Sequence, residues 1–291
     1  MPIDGQTQLV GLIGWPVEHS MSPAMHNAAF DALGLNWRYV PLPVPTGQVA
    51  AALRGLVALG FRGANVTVPH KEAVMAALDQ VADDAQALGA VNTVVADQED
   101  DSAATLSGYN TDAAGFVGAL RDSHFDPTGA SAVVVGAGGA ARAVIFGLMR
   151  ADAEEIVVLN RTLERAQALV SDLSRHSQAA VRNLQLTPET LTGSARAAHL
   201  LVNATPVGMW PLADESIWPE DTPIPSRLTV LDLVYNPLET KLLQQARRSG
   251  ARVVDGLGML VRQGALSFQM WTGVEPPVQV MRATCEGSLR C

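Results

Sequence analysis

At 291 residues the chain is long enough for two domains with buried cores, and equally for one large α/β barrel; 48% hydrophobic and 17% charged residues exclude a mainly disordered protein. A formal net charge of −9, with no run of Lys and Arg, leaves no basic field for a nucleic-acid backbone. No apolar stretch approaches the roughly 20 residues of a membrane-spanning helix and no positively charged leader opens the sequence, so a cytoplasmic protein is expected.

Along the chain, short apolar runs alternate with helical patterns, the mark of parallel α/β architecture. Gln8–Gly14 reads as a buried strand ended by a Gly-Trp-Pro turn, followed by a helix over about Pro23–Leu33. Trp37–Leu42 is a second strand, Val49–Leu59 a helix, Gly63–Val68 a third strand, and Lys71–Leu78 opens another helix. Ala90–Ala96 and Thr105–Asn110 flank the acidic run Asp97–Ser102 and read as an antiparallel hairpin with a solvated turn. A helix over Asp112–Leu120 leads toward a second domain, whose first strand follows the turn Asp126-Pro-Thr-Gly129.

That strand, Ala132–Val135, runs into Gly136, Ala137, Gly138, Gly139, Ala140 and Ala141, a G-x-G-x-x-A turn opening an apolar helix over Ala140–Met149. Gly136 permits the tight turn, Gly138 lets the backbone approach a pyrophosphate, and Ala141 allows close helix and strand packing. The free N–H groups and positive dipole end of the helix then face the phosphates. Because this turn lies mid-chain, a substrate domain precedes the cofactor domain. The next strand, Ile156–Asn160, ends without the Asp or Glu that holds the adenosine ribose in NAD enzymes. Asn160 is followed by Arg161, Thr162 and Arg165: the two arginines suit a 2′-phosphate, and Thr162 suits a helix N-cap.

The six histidines, His19, His26, His70, His124, His176 and His199, are scattered, and Cys285 and Cys291 both fall near the end. No metal site and no structural disulfide are expected.

The chain resembles the shikimate dehydrogenases from about Gly11 to Gly273. The resemblance rests on Ser20-Met-Ser22-Pro-Ala-Met-His, Asn65-Val-Thr-Val-Pro-His-Lys71, Gly89-Ala-Val-Asn-Thr93, Asn110-Thr-Asp112, Gly136-Ala-Gly-Gly-Ala and Asn160-Arg-Thr. Val202-Asn-Ala-Thr-Pro-Val-Gly-Met209, Asp232-Leu-Val-Tyr-Asn-Pro237, Asp255-Gly256 and Met259-Leu-Val-Arg-Gln263 continue it in the family's order. It implies NADP-linked reduction of 3-dehydroshikimate to shikimate, toward chorismate and aromatic amino acids. It implies a two-domain α/β fold: a substrate domain over 1–112, a Rossmann-type NADP-binding domain over 113–256, and C-terminal helices over 257–291 that return to the substrate domain.

The same resemblance implies residue roles. Lys71 and Asp112 form the catalytic pair, since reducing a ring ketone needs a positioned proton as well as a hydride. Taken singly, Lys71 reads as a solvated helix-start cation and Asp112 as a helix N-cap. Ser20 and Ser22 hold the substrate carboxylate, with Tyr235 near that end, while Thr67, Asn92, Asp112 and Gln263 contact ring hydroxyls. Taken singly, Ser22 before Pro23 also reads as an N-cap. Thr205, Leu233 and Gly256 join the turn and the arginines at the cofactor. Some quinate-preferring relatives carry Thr where this chain has Ser22, so Ser22 leans toward shikimate; Trp15 and Leu233 depart from the common family residues, and His70 is given no role. The alternatives are a quinate or aminoshikimate dehydrogenase of the same fold, or a non-catalytic dinucleotide-sensing relative. A small-molecule substrate and a monomer or homodimer are expected.

Overall fold

A computed structural model describes residues 2–97, 105–176 and 179–289. Residues 98–102 of the acidic turn, and Cys291, lie outside them. The chain divides into two compact units, one of Met1–Thr111 with Gln263–Cys291, the other of Asp112–Arg262.

The first unit runs β1 (Gln8–Gly14), α1 (Ser22–Ala32), β2 (Trp37–Pro43), α2 (Val49–Ala58), β3 (Gly63–Val66), a 3-10 turn at Ala73–Ala77, β4 (Gln80–Val81), α3 (Asp83–Leu88), β5 (Thr93–Asp97) and β6 (Thr105–Tyr109). Its sheet is mixed, in the order β2-β1-β3-β5-β6-β4. β1 pairs parallel with β2 and β3, whereas β5 pairs antiparallel with β3 and β6, the expected hairpin. Val49, Leu53 and Leu56 of α2 and Ala85 of α3 bury one face of the sheet against Ile13, Ala64, Val66 and Val94.

Lys71–Leu78 does not form the expected helix. The Lys71 carbonyl accepts from the Val91 N–H at 2.8 Å, so it is spent on the segment leading into β5, and only 3-10 geometry follows from Ala73. Lys71 itself sits in a turn. The β3 strand also stops early, at Val66; Thr67 and Val68 continue as a loop tied to β1 by Thr67 N–H to Ile13 O (2.8 Å) and Trp15 N–H to Val68 O (3.0 Å).

The second unit runs α4 (Asp112–Asp122), β7 (Ser131–Val135), α5 (Gly139–Arg150), β8 (Glu155–Asn160), α6 (Leu163–Leu173), β9 (Ala180–Gln185), α7 (Pro188–Ala195), β10 (Leu200–Asn203), β11 (Thr229–Asp232), α8 (Lys241–Arg248) and β12 (Arg252–Val254). All six strands are parallel, ordered β9-β8-β7-β10-β11-β12, which is the 3-2-1-4-5-6 order of a Rossmann sheet with its switch point between β7 and β10. Alternation along the strands sends Val133, Val135, Val157 and Leu159 to a core shared with α7 and α8. The residues between them, Val134, Ile156 and Val158, are equally buried, as expected of a sheet covered on both faces.

Two C-terminal helices follow, α9 (Leu257–Thr272) and α10 (Val278–Ser288). From Gln263 onward they belong to the first unit: Ser267 and Trp271 of α9 bond to Asn65 and to the Val94 carbonyl, and α10 packs on α1. Helix α9 is continuous across the division at Arg262, so its first residues, 257–262, count with the second unit.

His26 of α1 is fully buried among aromatic rings, stacked on Tyr39 at 4.5 Å and 2° and flanked by Phe30, Phe268 and Trp271. Neither ring nitrogen has a hydrogen-bond partner, and burial pushes its pKa down to about 3. The unfolded chain therefore takes up a proton near pH 6.5 that the folded state refuses, and stability is lost as pH falls through that value. By linkage this residue should cost about 2 kcal/mol of stability at pH 5 relative to pH 8. His26→Phe keeps the ring and should remove that part of the slope in urea unfolding; parallel pH profiles for the two proteins would contradict it.

Candidate functional site

The first unit gathers polar groups around the C-terminal ends of β1 and β3. Ser20 and Ser22 flank the start of α1, where Met21, not Ser22, is the N-cap and no side chain caps the helix. Ser20 Oγ instead accepts from the Ser22 N–H at 3.2 Å, which brings both hydroxyl-bearing residues to one short bend. Thr67 is half-buried on the loop after β3 and packs where Gly14 leaves no room for a Cβ.

Asn92 is the junction of this region. Its Oδ1 accepts from the Thr111 N–H (2.8 Å) and the Thr93 hydroxyl (2.9 Å), and its Nδ2 donates to Thr111 Oγ1 (2.9 Å) and, more weakly, to Gln263 Oε1 (3.5 Å). Thus α9 delivers Gln263 to the same group that fixes Thr111, the residue immediately before Asp112. Lys71 is tied in on the other side, through its carbonyl, to Val91. Lys71, Asp112 and Gln263 are all half-buried. His70 is buried with Nε2 2.6 Å from the Val44 carbonyl, a structural tether.

Asp112 opens α4 and Tyr235 follows β11, so both belong to the second unit. Four residues of the first unit's network were not among the candidates read from sequence: Asn65, Thr93, Thr111 and Ser267. Asn65, Thr93 and Thr111 stood inside the motifs, but their bonds reach across the sheet and to α9, which no local pattern encodes.

In the second unit the glycine-rich turn joins β7 to α5. Gly136 has φ 121°, and an added Cβ would lie 2.8 Å from the Ala204 carbonyl, so both strain and contact require glycine. Gly138 and Gly139 differ: a Cβ there meets nothing within 4 Å, and Gly138 has an ordinary φ of −97°. The fold does not need glycine at Gly138, whereas a ligand approaching the backbone does. Ala137 is half-buried and Gly138, Gly139 and Ala140 are exposed, leaving the first N–H groups of α5 open.

At the tip of β8, Asn160 Nδ2 donates to the Thr162 carbonyl at 2.8 Å. Thr162 occupies the N-cap of α6, but its side chain makes no capping bond, against expectation; the Asn160 amide shapes this bend instead. Arg161 and Arg165 are solvent-exposed. Beyond the switch point, Thr205 donates to Asn203 Oδ1 at 2.7 Å, and Asn203 donates to Asp232 Oδ1 at 2.9 Å. Asp232 also accepts from Thr240 Oγ1 (2.7 Å) and the Val234 N–H (3.1 Å). Burial pushes its pKa up to about 6, and these three donors oppose that rise. The loops after β10 and β11, which carry Thr205, Leu233 and Tyr235, are held by this buried network. Gly256 abuts the Leu233 and Asp232 carbonyls with no space for a Cβ, so its absent side chain lets β12 end against that loop.

A parallel sheet in Rossmann order, with a glycine-rich turn opening a helix beside its switch point, defines a dinucleotide-binding α/β protein, here joined to a second, hydroxyl-lined unit. The chain belongs to the shikimate dehydrogenase family. Residues 12–94 match the model of the shikimate dehydrogenase substrate binding domain, 120–206 that of shikimate / quinate 5-dehydrogenase, and 256–286 that of the shikimate 5'-dehydrogenase C-terminal domain. The shikimate dehydrogenase (NADP(+)) of Methanopyrus kandleri is 49% identical over 99% of this chain and 98% of its own. Among solved structures, shikimate 5-dehydrogenase from Thermus thermophilus in complex with NADP(H) and shikimate is 40% identical, with a TM-score of 0.85 over 97% of this chain and 100% of that one. Quinate dehydrogenase from Corynebacterium glutamicum in complex with NAD is 34% identical, with a TM-score of 0.88 over 97% and 99%. The fold is therefore shared by relatives named for different substrates, and the substrate must be argued from side chains.

Among the described residues, no helix is long and apolar enough to cross a membrane.

Proposed function

We propose that this protein is an NADP-dependent shikimate dehydrogenase, interconverting 3-dehydroshikimate and shikimate on the route to chorismate and aromatic amino acids, and that it works in the cytoplasm as a monomer or homodimer. The observation that carries the reading is the Asn92 junction, which sets Gln263 and Thr111 on one amide beside the loop that bears Thr67 and Lys71. Such a set of neutral donors and acceptors suits a polyol, because an analogue lacking a hydroxyl leaves a half-buried partner unpaired.

The residues of the second unit fit NADP. The open Gly138 and the free N-terminus of α5 suit the pyrophosphate, and Asn160, Arg161 and Arg165 suit a 2′-phosphate where a carboxylate would repel it. When bound, the cofactor supplies or accepts the hydride. The protein's own part is the proton: Lys71 Nζ gives it to the developing alkoxide in reduction and takes it from the hydroxyl in oxidation, and Asp112, the other member of the catalytic pair, accepts from a ring hydroxyl. Thr205, Leu233, Tyr235 and Gly256 shape the wall that the Asn203–Asp232–Thr240 network holds.

Ser20 and Ser22 bind the carboxylate, remote from the reacting carbon. Ser20→Ala and Ser22→Ala should chiefly raise KM for shikimate, by about 10-fold each, with kcat changed much less, since each loses a hydrogen bond to a charged group. Steady-state kinetics on both variants test this, and an unchanged KM in both would place the carboxylate elsewhere. The quinate reading is separated by assaying both acids: this chain has Ser22 where some quinate-preferring relatives carry Thr, so shikimate should be the better substrate.

A further inference from the structure

The second unit's sheet has two halves, and a dinucleotide lies across both. Asn160, Arg161 and Arg165 at the tip of β8 suit the adenosine side, so the nicotinamide side falls beyond the switch point, over the ends of β10 and β11. These two strands end on Asn203 and Asp232, which are register partners and wholly buried. A buried amide and carboxylate cost desolvation that apolar residues would not, so their bonds at the ligand end of the sheet call for an explanation.

The Asn203 side chain has no unused capacity. Its Nδ2 donates to the Val207 carbonyl (3.0 Å) and to Asp232 Oδ1 (2.9 Å), and its Oδ1 accepts from the Thr205 N–H (3.1 Å) and the Thr205 hydroxyl (2.7 Å). Two donors and two lone pairs are all that an amide has. Asp232 decides which way round the amide sits. At pH 8, above its pKa of about 6, the carboxylate only accepts, so it takes the NH2 and turns the oxygen to Thr205. The Val234 N–H and Thr240 Oγ1 hold that carboxylate in turn, and Thr240 caps α8 by accepting from the Leu243 N–H (3.3 Å).

The consequence falls on Thr205, which is half-buried. Its proton is committed to Asn203, and one lone pair accepts from the Val207 N–H (3.3 Å), so Oγ1 keeps a single lone pair. Thr205 can therefore accept a further bond but cannot donate one. The donors on the nicotinamide side of the cofactor, the carboxamide NH2 and the ribose hydroxyls, match that group. The same loop borders the glycine-rich turn, since the Ala204 carbonyl is what an added Cβ on Gly136 would meet.

We propose that Asn203 is a positioning residue for the nicotinamide half of the cofactor: with its orientation set by Asp232, it fixes the loop over 204–207 and holds Thr205 Oγ1 as an acceptor for a nicotinamide-side donor. Asn203 itself is wholly buried and acts through Thr205. The inference rests on the functional reading above, specifically on NADP binding across this sheet.

Adenosine 2′,5′-bisphosphate separates the two halves, because it carries the 2′-phosphate and one phosphate of the pyrophosphate but no nicotinamide. In calorimetric titration at pH 8, Asn203→Ala should raise Kd for NADP about 10-fold, the worth of a hydrogen bond, and leave Kd for the bisphosphate within about 2-fold of wild type. The bond from the Leu233 N–H to the Asn203 carbonyl (3.0 Å) survives the substitution. Asp232→Asn keeps the shape and removes the buried charge, so it decides the matter where Asn203→Ala does not fold. Its side chain presents NH2 as well as oxygen, Asn203 is no longer forced, and Kd for NADP should rise about 5-fold with the bisphosphate unaffected. In a Thr205→Val background either change should add less than about 2-fold. A Thr205→Val penalty that disappears with the 3-acetylpyridine analogue of NADP, which has a methyl in place of the NH2, assigns the carboxamide as donor, and one that persists assigns the ribose; both support the proposal. NADP affinity within about 2-fold of wild type in Asp232→Asn, equal weakening toward NADP and the bisphosphate, or fully multiplicative effects with Thr205→Val would overturn it. A wild-type protein that binds neither ligand would instead reject the functional reading.

Discussion

Replacing Lys71 by Ala should lower turnover of shikimate by roughly 10²- to 10⁴-fold while shikimate binding weakens far less, the pattern of a lost proton-transfer group. The structure makes this a clean experiment. Lys71 is held through its backbone carbonyl, which bonds the Val91 N–H and survives the substitution, and it lies in a turn, outside regular helix. The variant should keep its fold, and hence its affinity for shikimate measured by titration. Stopped-flow hydride transfer with pre-bound ligands would show the loss in the chemical step itself. Turnover within a few-fold of wild type in a folded Lys71→Ala protein would remove this residue from the mechanism.

The second large effect is expected at the cofactor's 2′-phosphate. Arg161→Ala or Arg165→Ala should each reduce efficiency with NADP by roughly 10- to 100-fold and leave NAD use almost unchanged, because the charge-assisted bonds exist only with the phosphorylated cofactor. Both side chains are exposed, so the difference should shrink as salt rises. Asn160→Asp should shift preference further toward NAD, since the carboxylate accepts from the ribose hydroxyls and repels the phosphate. It also loses the Nδ2 bond to the Thr162 carbonyl, so some loss with both cofactors is expected beside the shift in ratio. Steady-state kinetics with both cofactors decide the matter: equal losses for NADP and NAD in Arg161→Ala would return the arginine to the solvated surface.

What could be read without the structure was what is local. The Gly136–Ala141 turn, the strands on either side of it and the missing acid at Asn160 are encoded within a few residues of one another, and the Rossmann sheet follows from them. Lys71–Leu78 was misread because its helical pattern is overruled by one bond to Val91, twenty residues on. The side-chain cap assigned to Thr162 failed for a related reason: the amide two residues earlier takes the bend. The buried networks were invisible altogether. Asn203 meets Asp232 at a separation of 29 residues, Tyr39 meets Asn65 at 26, and Ser267 meets Asn65 at 202. Motif reading named the stretches that contain Asn65, Asn203 and Asp232, yet only the folded pairing shows that these side chains hold others in place.

The central claim is chemical, and one assay bears on it most directly: purified wild-type protein, shikimate, and either NADP or NAD, with reduced cofactor followed at 340 nm. The account predicts rapid formation of NADPH with 3-dehydroshikimate as product, and an efficiency with NADP at least about 10-fold above that with NAD. No reduction of either cofactor by shikimate, or equal efficiency with both, would contradict it.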